Sequence, residues 1–153
     1  MDKEQREKIK EVNCAIRKTN ALYDKWAERY HVNHFAFIIL YYLYTEGPVT
    51  QKKISTEQNI PKQTVNFTIK ELTANGYVIL VPSQADRREK NIILTQAGRT
   101  YASHILEPLF ILEEQILKRM GDELRNSLIE ASAIYSEVLE QALAEKNFQE
   151  GQE

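Results

Sequence analysis

The sequence predicts a mainly α fold of the α+β class, with one β hairpin among several helices. Apolar residues recur at helical spacing through most of the 153 residues. Two short runs, YVILV at 77–81 and NIILT at 91–95, are rich in β-branched residues and bounded by turn formers, which is typical of strands. The length suits a single domain that spans residues 1–153.

The first part of the chain predicts two helices. Residues 3–30 contain neither glycine nor proline, and their apolar side chains recur at helical spacing with polar residues between them. After a break at residues 31–33, the nearly all-apolar run FAFIILYYLY at 35–44 predicts a helix that ends at Gly47 and Pro48. This second helix is apolar on most sides, so we expect it to be buried.

Two short helices are predicted next. Thr50 is a suitable N-cap for a helix that ends near Glu57. The segment PKQTVNFTIKELTANG at 61–76 predicts a further helix, with Pro61 in its first turn and Gly76 just after its end. Two short helices joined by a few residues, the second polar on its outer face, are the pattern of a helix-turn-helix.

Helical spacing returns after the hairpin. It runs from Gln96 to about Met120, breaks at Gly121 and Asp122, and continues to about Ala142. Together with the first helix, these segments carry long apolar stripes that the middle of the chain could not cover alone. A second copy of the chain would cover them, so the sequence predicts a homodimer.

Charge is segregated along the chain. The formal net charge is −2 at pH 7, but the segment from Thr50 to Arg99 holds eight cations and four anions, a net +4. The remainder therefore carries −6. A basic middle between acidic ends indicates that the middle contacts a polyanion such as nucleic acid.

The sequence predicts a cytoplasmic protein with no membrane segment. Its longest apolar run is about half the length of a membrane span, and the start MDKEQREKIKEV is too polar for a signal peptide. The single cysteine, Cys14, allows no internal disulfide, which agrees with a reducing compartment.

The most specific motif is DRREKNIILTQAG at 86–98, which resembles the wing signature of the MarR family of transcriptional regulators. The matching positions are Asp86, Arg88, Leu94, Thr95 and Gly98. The join of recognition helix to wing in that family is matched by Leu72, Gly76, Tyr77 and Val78. The resemblance covers nearly the whole chain.

The resemblance implies a winged helix-turn-helix with long N- and C-terminal dimerisation helices. The DNA-binding lobe would be residues 34–98, and the helical dimerisation region would be residues 1–33 and 99–146. The implied function is a sequence-specific regulator of transcription that binds duplex DNA, a repressor released by a small ligand. A homodimer would read a near-palindromic operator whose half-sites lie about one helical turn apart, roughly 34–36 Å.

The tip of the hairpin holds the predicted wing contacts. The family's arginine at this position enters the minor groove, and the resemblance assigns that role to Arg88, whose planar guanidinium suits a narrow groove. Asp86 lies two residues earlier, on the same side of an extended strand, and can hold Arg88 in one rotamer. Arg87 and Lys90 would then meet phosphates. The alternative is a solvated surface turn.

Six side chains of the predicted recognition helix lie off its apolar stripe and are candidates for DNA contact. They are Lys62, Gln63, Thr64, Asn66, Phe67 and Lys70. Glutamine and asparagine can bond adenine bidentately, threonine can contact a thymine methyl, and lysine suits phosphates without reading a base. The alternative is a polar helix face without a role.

An aromatic set at the end of the first helix and in the second is a candidate pocket for a small aromatic ligand. Its members are Trp26, Tyr30, Phe37 and Tyr41. The family binds ligands, often phenolic, where these helices would meet, and buried tyrosine hydroxyls could hold an aromatic acid. The alternative is that these residues are core and dimer interface.

Other classes of function leave weaker signals. One branch of the family senses oxidants through a cysteine in its first helix, so a thiol-based repressor acting through Cys14 stays open. A helical protein-interaction module is another alternative. No phosphate loop, nucleophile elbow or Cys-His dyad indicates an enzyme. His31 and His34 lack a third ligand nearby, so neither a metal nor a cofactor is predicted.

Overall fold

The computed structural model describes residues 2–83 and 89–144, and these form five helices and a three-stranded antiparallel sheet. In chain order the elements are α1 (Lys3–Arg29), α2 (His34–Glu46), β1 (Val49–Thr50), α3 (Gln51–Glu57), α4 (Lys62–Ala74), β2 (Val78–Pro82), β3 (Lys90–Leu94) and α5 (Gln96–Ala144). The predicted mainly α fold with a hairpin is confirmed. The chain divides into two compact units, residues 1–107 and 108–153.

Helix α1 begins with a capping box. The Asp2 carboxylate accepts from the Gln5 backbone N–H at 2.8 Å, and the Gln5 side chain accepts from the Asp2 N–H at 3.3 Å. Near the other end of the helix, Trp26 Nε1 donates to the Ile105 carbonyl at 3.1 Å. Most of α1 before this point is exposed, including the apolar side chains of Ile9 and Val12.

Helix α2 is the central helix of the first unit, as its apolar sequence predicts. Its N-cap Asn33 accepts from the Ala36 N–H at 2.9 Å, and it ends at Gly47, whose φ of 80° favours glycine. The fully buried side chains that form the core of this unit are Ile39, Leu40, Leu43, Ile54, Val65, Ile69, Val78, Ile92, Ile105 and Leu106. Burying a side chain of this size stabilises the fold by about 1.5–3 kcal/mol.

Helices α3 and α4 form the predicted helix-turn-helix. Thr50 Oγ1 accepts from the Lys53 N–H at 3.2 Å and caps α3. Pro61 precedes α4 rather than lying in its first turn, because its ψ of 136° is extended and the helix proper begins at Lys62. The predicted inward stripe of α4 is buried, since Val65, Ile69 and Leu72 are each at most 4% exposed.

The sheet has the order β1-β3-β2. The predicted hairpin pairs β2 with β3, from Val78 opposite Leu94 to Pro82 opposite Lys90. Strand β1 was not predicted, because two residues are too short to show an alternating pattern. Thr50 belongs to this strand and also caps α3 with its side chain, and the sequence predicted the second role alone.

Helix α5 shows the predicted break at Gly121, whose φ of 71° and ψ of 171° are not helical. The part of this helix in the second unit exposes a continuous set of large apolar side chains. They include Leu124, Leu128, Ile129, Ile134, Val138, Leu139 and Leu143, each at least 49% exposed. Apolar area of this extent on a helix in water indicates a partner surface. Among the described residues, no helix is long and apolar enough to cross a membrane.

Candidate nucleic-acid interface

The outer face of α4 presents nearly the whole predicted reading set to solvent. Lys62, Gln63, Asn66 and Lys70 are exposed, and Thr64 is half-buried. The arrangement follows from the inward apolar stripe, which leaves the opposite side of the helix free. The face therefore carries amide, hydroxyl and ammonium groups that can bond base edges and phosphates.

Phe67 stands out on this face because it is 63% exposed. With that exposure, most of the phenyl ring is not covered by other residues of the chain. It can instead make apolar contact with a thymine methyl in the major groove. The exposure of Phe67 is therefore compatible with the DNA contact for which the sequence made it a candidate.

Asn66 has a neighbour that sequence analysis missed. Its Nδ2 donates to Oε1 of Gln51, the first residue of α3, at 3.3 Å. This bond uses one N–H of the exposed Asn66 amide, and it does not involve Oδ1 or the second N–H. An amide oxygen and one N–H are the pair that bonds adenine bidentately, so this hydrogen bond is compatible with the predicted role of Asn66, which stays a prediction. The two residues are 15 positions apart, and no local pattern joins them.

The described part of the wing is the antiparallel pair of strands β2 and β3. The Ser83 N–H donates to the Glu89 carbonyl at 2.9 Å and closes the last described pair, and Lys90 is exposed at the start of β3. The predicted contacts Asp86, Arg87 and Arg88 lie outside the described residues. Their roles stay predictions.

Thr95 and Gly98 connect the base of the wing to the start of α5 through hydrogen bonds and a close backbone contact. The Thr95 hydroxyl donates to the Gly76 carbonyl at 2.6 Å and accepts from the Gly98 N–H at 2.9 Å. A Cβ on Gly98 would lie 1.8 Å from the Tyr77 carbonyl oxygen, so only glycine fits there. This contact explains why the Leu-Thr-x-x-Gly pattern needs its glycine.

A hydrogen bond from Tyr42 to Glu57 braces the end of α3 against α2. Burial, followed by that bond to Glu57, raises the pKa of Tyr42 to about 12. The phenol is therefore protonated at neutral pH and donates to the carboxylate. Lys53, one turn earlier in α3, lies 3.8 Å from the same carboxylate.

The predicted aromatic set forms two ring pairs. The ring centroids of Trp26 and Tyr30 lie 5.8 Å apart, and those of Phe37 and Tyr41 lie 6.4 Å apart. Phe37 is buried, and the Trp26 indole N–H is already bonded to the Ile105 carbonyl. The ligand-binding role of this set stays a prediction.

A cavity of about 140 Å³ lies within the first unit, lined by other residues. They are His31, Val32, Asn33, Ala36, Leu40, Thr68, Glu71, Leu72, Asn75, Tyr77 and Tyr101. This cavity cannot be recognised from the sequence, because separate segments assemble it: the α1–α2 connection, α2, α4, the residue before β2 and the first turns of α5.

The candidate thiol and histidines do not form a cluster with other metal-binding side chains in the part of the chain that the structure describes. Cys14 is a free, exposed thiol on α1. His34 Nδ1 lies 2.5 Å from Asp24 Oδ1, so this histidine is engaged with a carboxylate. No group of three or more histidine, cysteine, aspartate or glutamate side chains among the described residues could hold a metal ion.

The MarR family model matches residues 33–89, which span α2, the helix-turn-helix and β2 and end just before β3. Among curated proteins, the chain is similar to YwoH of Bacillus subtilis (strain 168), an uncharacterised HTH-type transcriptional regulator. The two are 38% identical over 85 residues, which cover 56% of this chain and 61% of YwoH. The match thus spans about three fifths of that relative's length.

Among solved structures, the chain is similar to NMB1585, a MarR family regulator from Neisseria meningitidis. The TM-score is 0.81 at 29% identity, over 90% of this chain and 97% of that chain. MepR of S. aureus, solved as a complex with DNA, has a TM-score of 0.67 at 18% identity, over 84% of this chain and 94% of that chain. At this lower identity, the second match shows the fold alone.

Proposed function

Because the chain belongs to the MarR family, we propose that it is a sequence-specific regulator of transcription that binds duplex DNA as a repressor. The family is one of transcription regulators rather than enzymes. The observation that supports the proposal most is the outer face of α4, where Asn66, held by Gln51, and Phe67 project from a rigid helix. Acting on DNA would place the protein in the cytoplasm.

In the proposed complex, α4 enters the major groove and the wing follows the backbone to the adjacent minor groove. Gln63, Thr64, Asn66 and Phe67 would meet base edges, while the lysines of α4 would meet phosphates. Arg88 would enter the minor groove with Asp86 holding it, and Arg87 and Lys90 would contact phosphates. The net +4 of residues 50–99 supports this orientation.

The proposed assembly is a homodimer built from the exposed apolar surfaces of α1 and of α5 beyond Pro108. These surfaces have no cover within their own units. A two-fold axis through these surfaces would place two α4 helices on one duplex. The operator would then be near-palindromic, because its two half-sites meet the same helix. The single-domain organisation, with a lobe at 34–98 and dimerisation segments at 1–33 and 99–146, belongs to this proposal.

We also propose that a small aromatic ligand releases the protein from DNA. This ligand would bind at Trp26, Tyr30, Phe37 and Tyr41. A ligand shifts the protein away from DNA only if it binds one of two arrangements better. Aromatic carboxylates should then raise the melting temperature and lower DNA affinity together. If a panel of them changes neither quantity, these residues are core alone.

The class of function is tested by the salt dependence of binding to duplex DNA. A regulator whose basic lobe releases counterions should lose affinity by about 10³-fold or more between about 50 and about 200 mM salt. Filter binding with a fixed duplex measures this directly. Weak binding that is indifferent to salt would reject the proposal.

Arg88→Ala should weaken operator binding by about 1–3 kcal/mol and reduce the salt slope if the contact includes phosphate. Asp86→Ala should weaken it as well, because Arg88 loses its positioning partner. Arg17→Ala is the matched control, since it removes an exposed cation from α1 outside the lobe. Fluorescence anisotropy at several salt concentrations gives both quantities, and unchanged affinity in both wing variants would refute the wing assignment.

Gln51→Ala should relax base preference at the same base pair as Asn66→Ala, because Asn66 loses the acceptor that orients its amide. Gln51→Glu keeps an acceptor and should retain that preference at lower overall affinity, since its charge repels phosphate. Lys52→Ala, the neighbouring cation, should instead weaken all sequences about equally. Selection from a randomised duplex library gives the preference at each position. Preference lost at different base pairs in Gln51→Ala and Asn66→Ala would contradict the pairing.

A further inference from the structure

Phe67 lies almost directly opposite the buried side of α4. It is midway between Val65 and Ile69, which are 0% and 1% exposed. An α-helix turns by about 100° per residue, so the Cβ of Phe67 points about 160° away from that of either residue. The ring therefore extends from the middle of the outer face of α4.

Phe67 is also the most exposed large apolar side chain that the structure describes in residues 1–107. Its exposed fraction is 63%, against 56% for Leu22 and 48% for Ile79. Removing a phenyl ring from water is favourable, so a ring at this position is suited to a contact with a partner.

The side chains next to Phe67 on the surface of α4 are polar. Gln63 and Thr64 lie one turn before it, and Lys70 and Glu71 lie one turn after it. Protein and membrane contacts are marked by large apolar patches, and a single ring among polar groups is not such a patch. The surface that fits Phe67 is therefore polar, with an isolated apolar group on it.

The major groove of DNA is a surface of this kind. Its floor carries hydrogen-bond donors and acceptors, and its apolar group is the C5-methyl of thymine. The phosphates on its two sides are anionic, which matches the net +4 of residues 50–99. A ring in the middle of the outer face of α4 is thus suited to contact a C5-methyl group.

A phenyl ring cannot distinguish the two pyrimidines that carry this methyl group. It has no hydrogen-bond donor or acceptor, so it does not separate the O4 of thymine from the N4 amino group of a cytosine. 5-Methylcytosine carries its methyl group at the same place in the groove as thymine. The ring would therefore contact both bases in the same way.

We propose that Phe67 is a specificity-determining residue that reads the C5-methyl group of one pyrimidine in each half-site. Methylation of a cytosine at that position restores the contact that thymine makes, so 5-methylcytosine replaces thymine there. The inference rests on the proposed function, because it requires α4 to lie in the major groove.

Uracil substitution isolates the methyl group, because uracil differs from thymine by that group alone. The starting duplex is the sequence that the full chain selects from a randomised library, and each of its thymines is replaced in turn by uracil. Fluorescence anisotropy should show at least one thymine per half-site at which uracil lowers affinity by about three- to fivefold, the effect of burying one methyl group.

Phe67→Ala identifies the residue responsible. At one of the sensitive positions, this variant should bind the thymine and uracil duplexes with equal affinity. Its Tm should match that of the wild type, because the ring is exposed. Lys70→Ala, an exposed residue of the same helix, is the matched control. It should weaken binding to both duplexes and keep the ratio between them at about three- to fivefold.

A second set of duplexes tests the methyl group on cytosine. At the position identified with Phe67→Ala, the T·A pair is replaced by C·G and by 5-methylcytosine·G. The wild type should bind the methylated duplex about three- to fivefold more tightly than the unmethylated one. Phe67→Ala should bind the two duplexes equally.

The proposal has results that would overturn it. A selected duplex without a uracil-sensitive thymine, or uracil effects that Phe67→Ala retains at every position, would refute the role of Phe67. A methylated cytosine that gives no gain in the wild type would refute the replacement of thymine by 5-methylcytosine. Each of these results leaves binding to the unmodified duplex intact, so the regulator would stand. A wild type that binds no duplex would refute the regulator and this inference together.

Discussion

Gly98→Ala is expected to destabilise the winged lobe severely, by about 3 kcal/mol or more. The added Cβ would lie 1.8 Å from the Tyr77 carbonyl oxygen and 2.7 Å from its carbonyl carbon. Both atoms are backbone, so no side-chain rotation can relieve the clash. Relief requires the wing root to move away from α5, which breaks the Thr95 hydrogen bonds to Gly76 and Tyr77.

The matched control is Gly76→Ala at the other end of the same junction. Gly76 has a φ of 74°, but an added Cβ would meet no atom within 4 Å. Its cost is therefore backbone strain alone, roughly 1–2 kcal/mol. Urea denaturation followed by circular dichroism separates the two variants. Equal losses in Gly98→Ala and Gly76→Ala would show that the close approach at Tyr77 is not rigid.

Replacing Leu128 and Tyr135 together with lysine is expected to abolish dimerisation and lower operator affinity by about 10²–10⁴-fold. The two residues are seven positions apart on α5, and Leu128 is 56% exposed without a cover in its own unit. Lysines at these positions would place charge inside the proposed interface, where burial is costly. A monomer binds one half-site and loses the gain from the linked second site.

Glu130→Lys with Glu137→Lys is the matched control. These residues are also seven apart on α5, on the side of the helix away from Leu128, and their replacement changes the net charge more. The control should remain a dimer. Sedimentation equilibrium with both double variants gives the oligomeric state. A Leu128/Tyr135 variant that remains a dimer would refute this interface, and one that is monomeric with full operator affinity would refute the need for a dimer.

The helices and the hairpin could be predicted because each carries its own periodic pattern. The apolar stripe of α4 and the glycine after it are local signals, and both were confirmed. Strand β1 was missed because its two residues are recognisable only from their pairing with Ile92 and Asn91 of β3. The predicted start of α4 was wrong by one residue. Pro61 was placed in the first turn, and the sequence does not show that its ψ is extended.

The exposed side chains on the outer face of α4 could also be predicted, because residues on the side of a helix opposite its buried stripe are exposed. What could not be predicted are contacts between residues far apart in sequence. Gln51 meets Asn66, Tyr42 meets Glu57, and no spacing rule joins either pair. The cavity beside Thr68 was hidden for the same reason, because several separate segments assemble it.

The motif around Gly98 was predictable in part: its pattern is visible in the sequence, but its physical reason is not. The pattern of Leu94, Thr95 and Gly98 was visible in the sequence and carried the family resemblance. Its physical reason, the approach of the Tyr77 carbonyl to the helix start, required coordinates. The structure therefore gives a steric cause for a residue that the sequence could identify by resemblance alone.

The central claim, a dimer that reads two half-sites with α4, is tested most directly by selecting bound sequences from a randomised duplex library. We predict one enriched near-palindrome whose half-sites are centred about 10–10.5 base pairs apart. Asn66→Ala should lose preference at one symmetry-related pair of positions. Enrichment of a single asymmetric half-site, or no enrichment at salt concentrations that permit binding, would contradict the account.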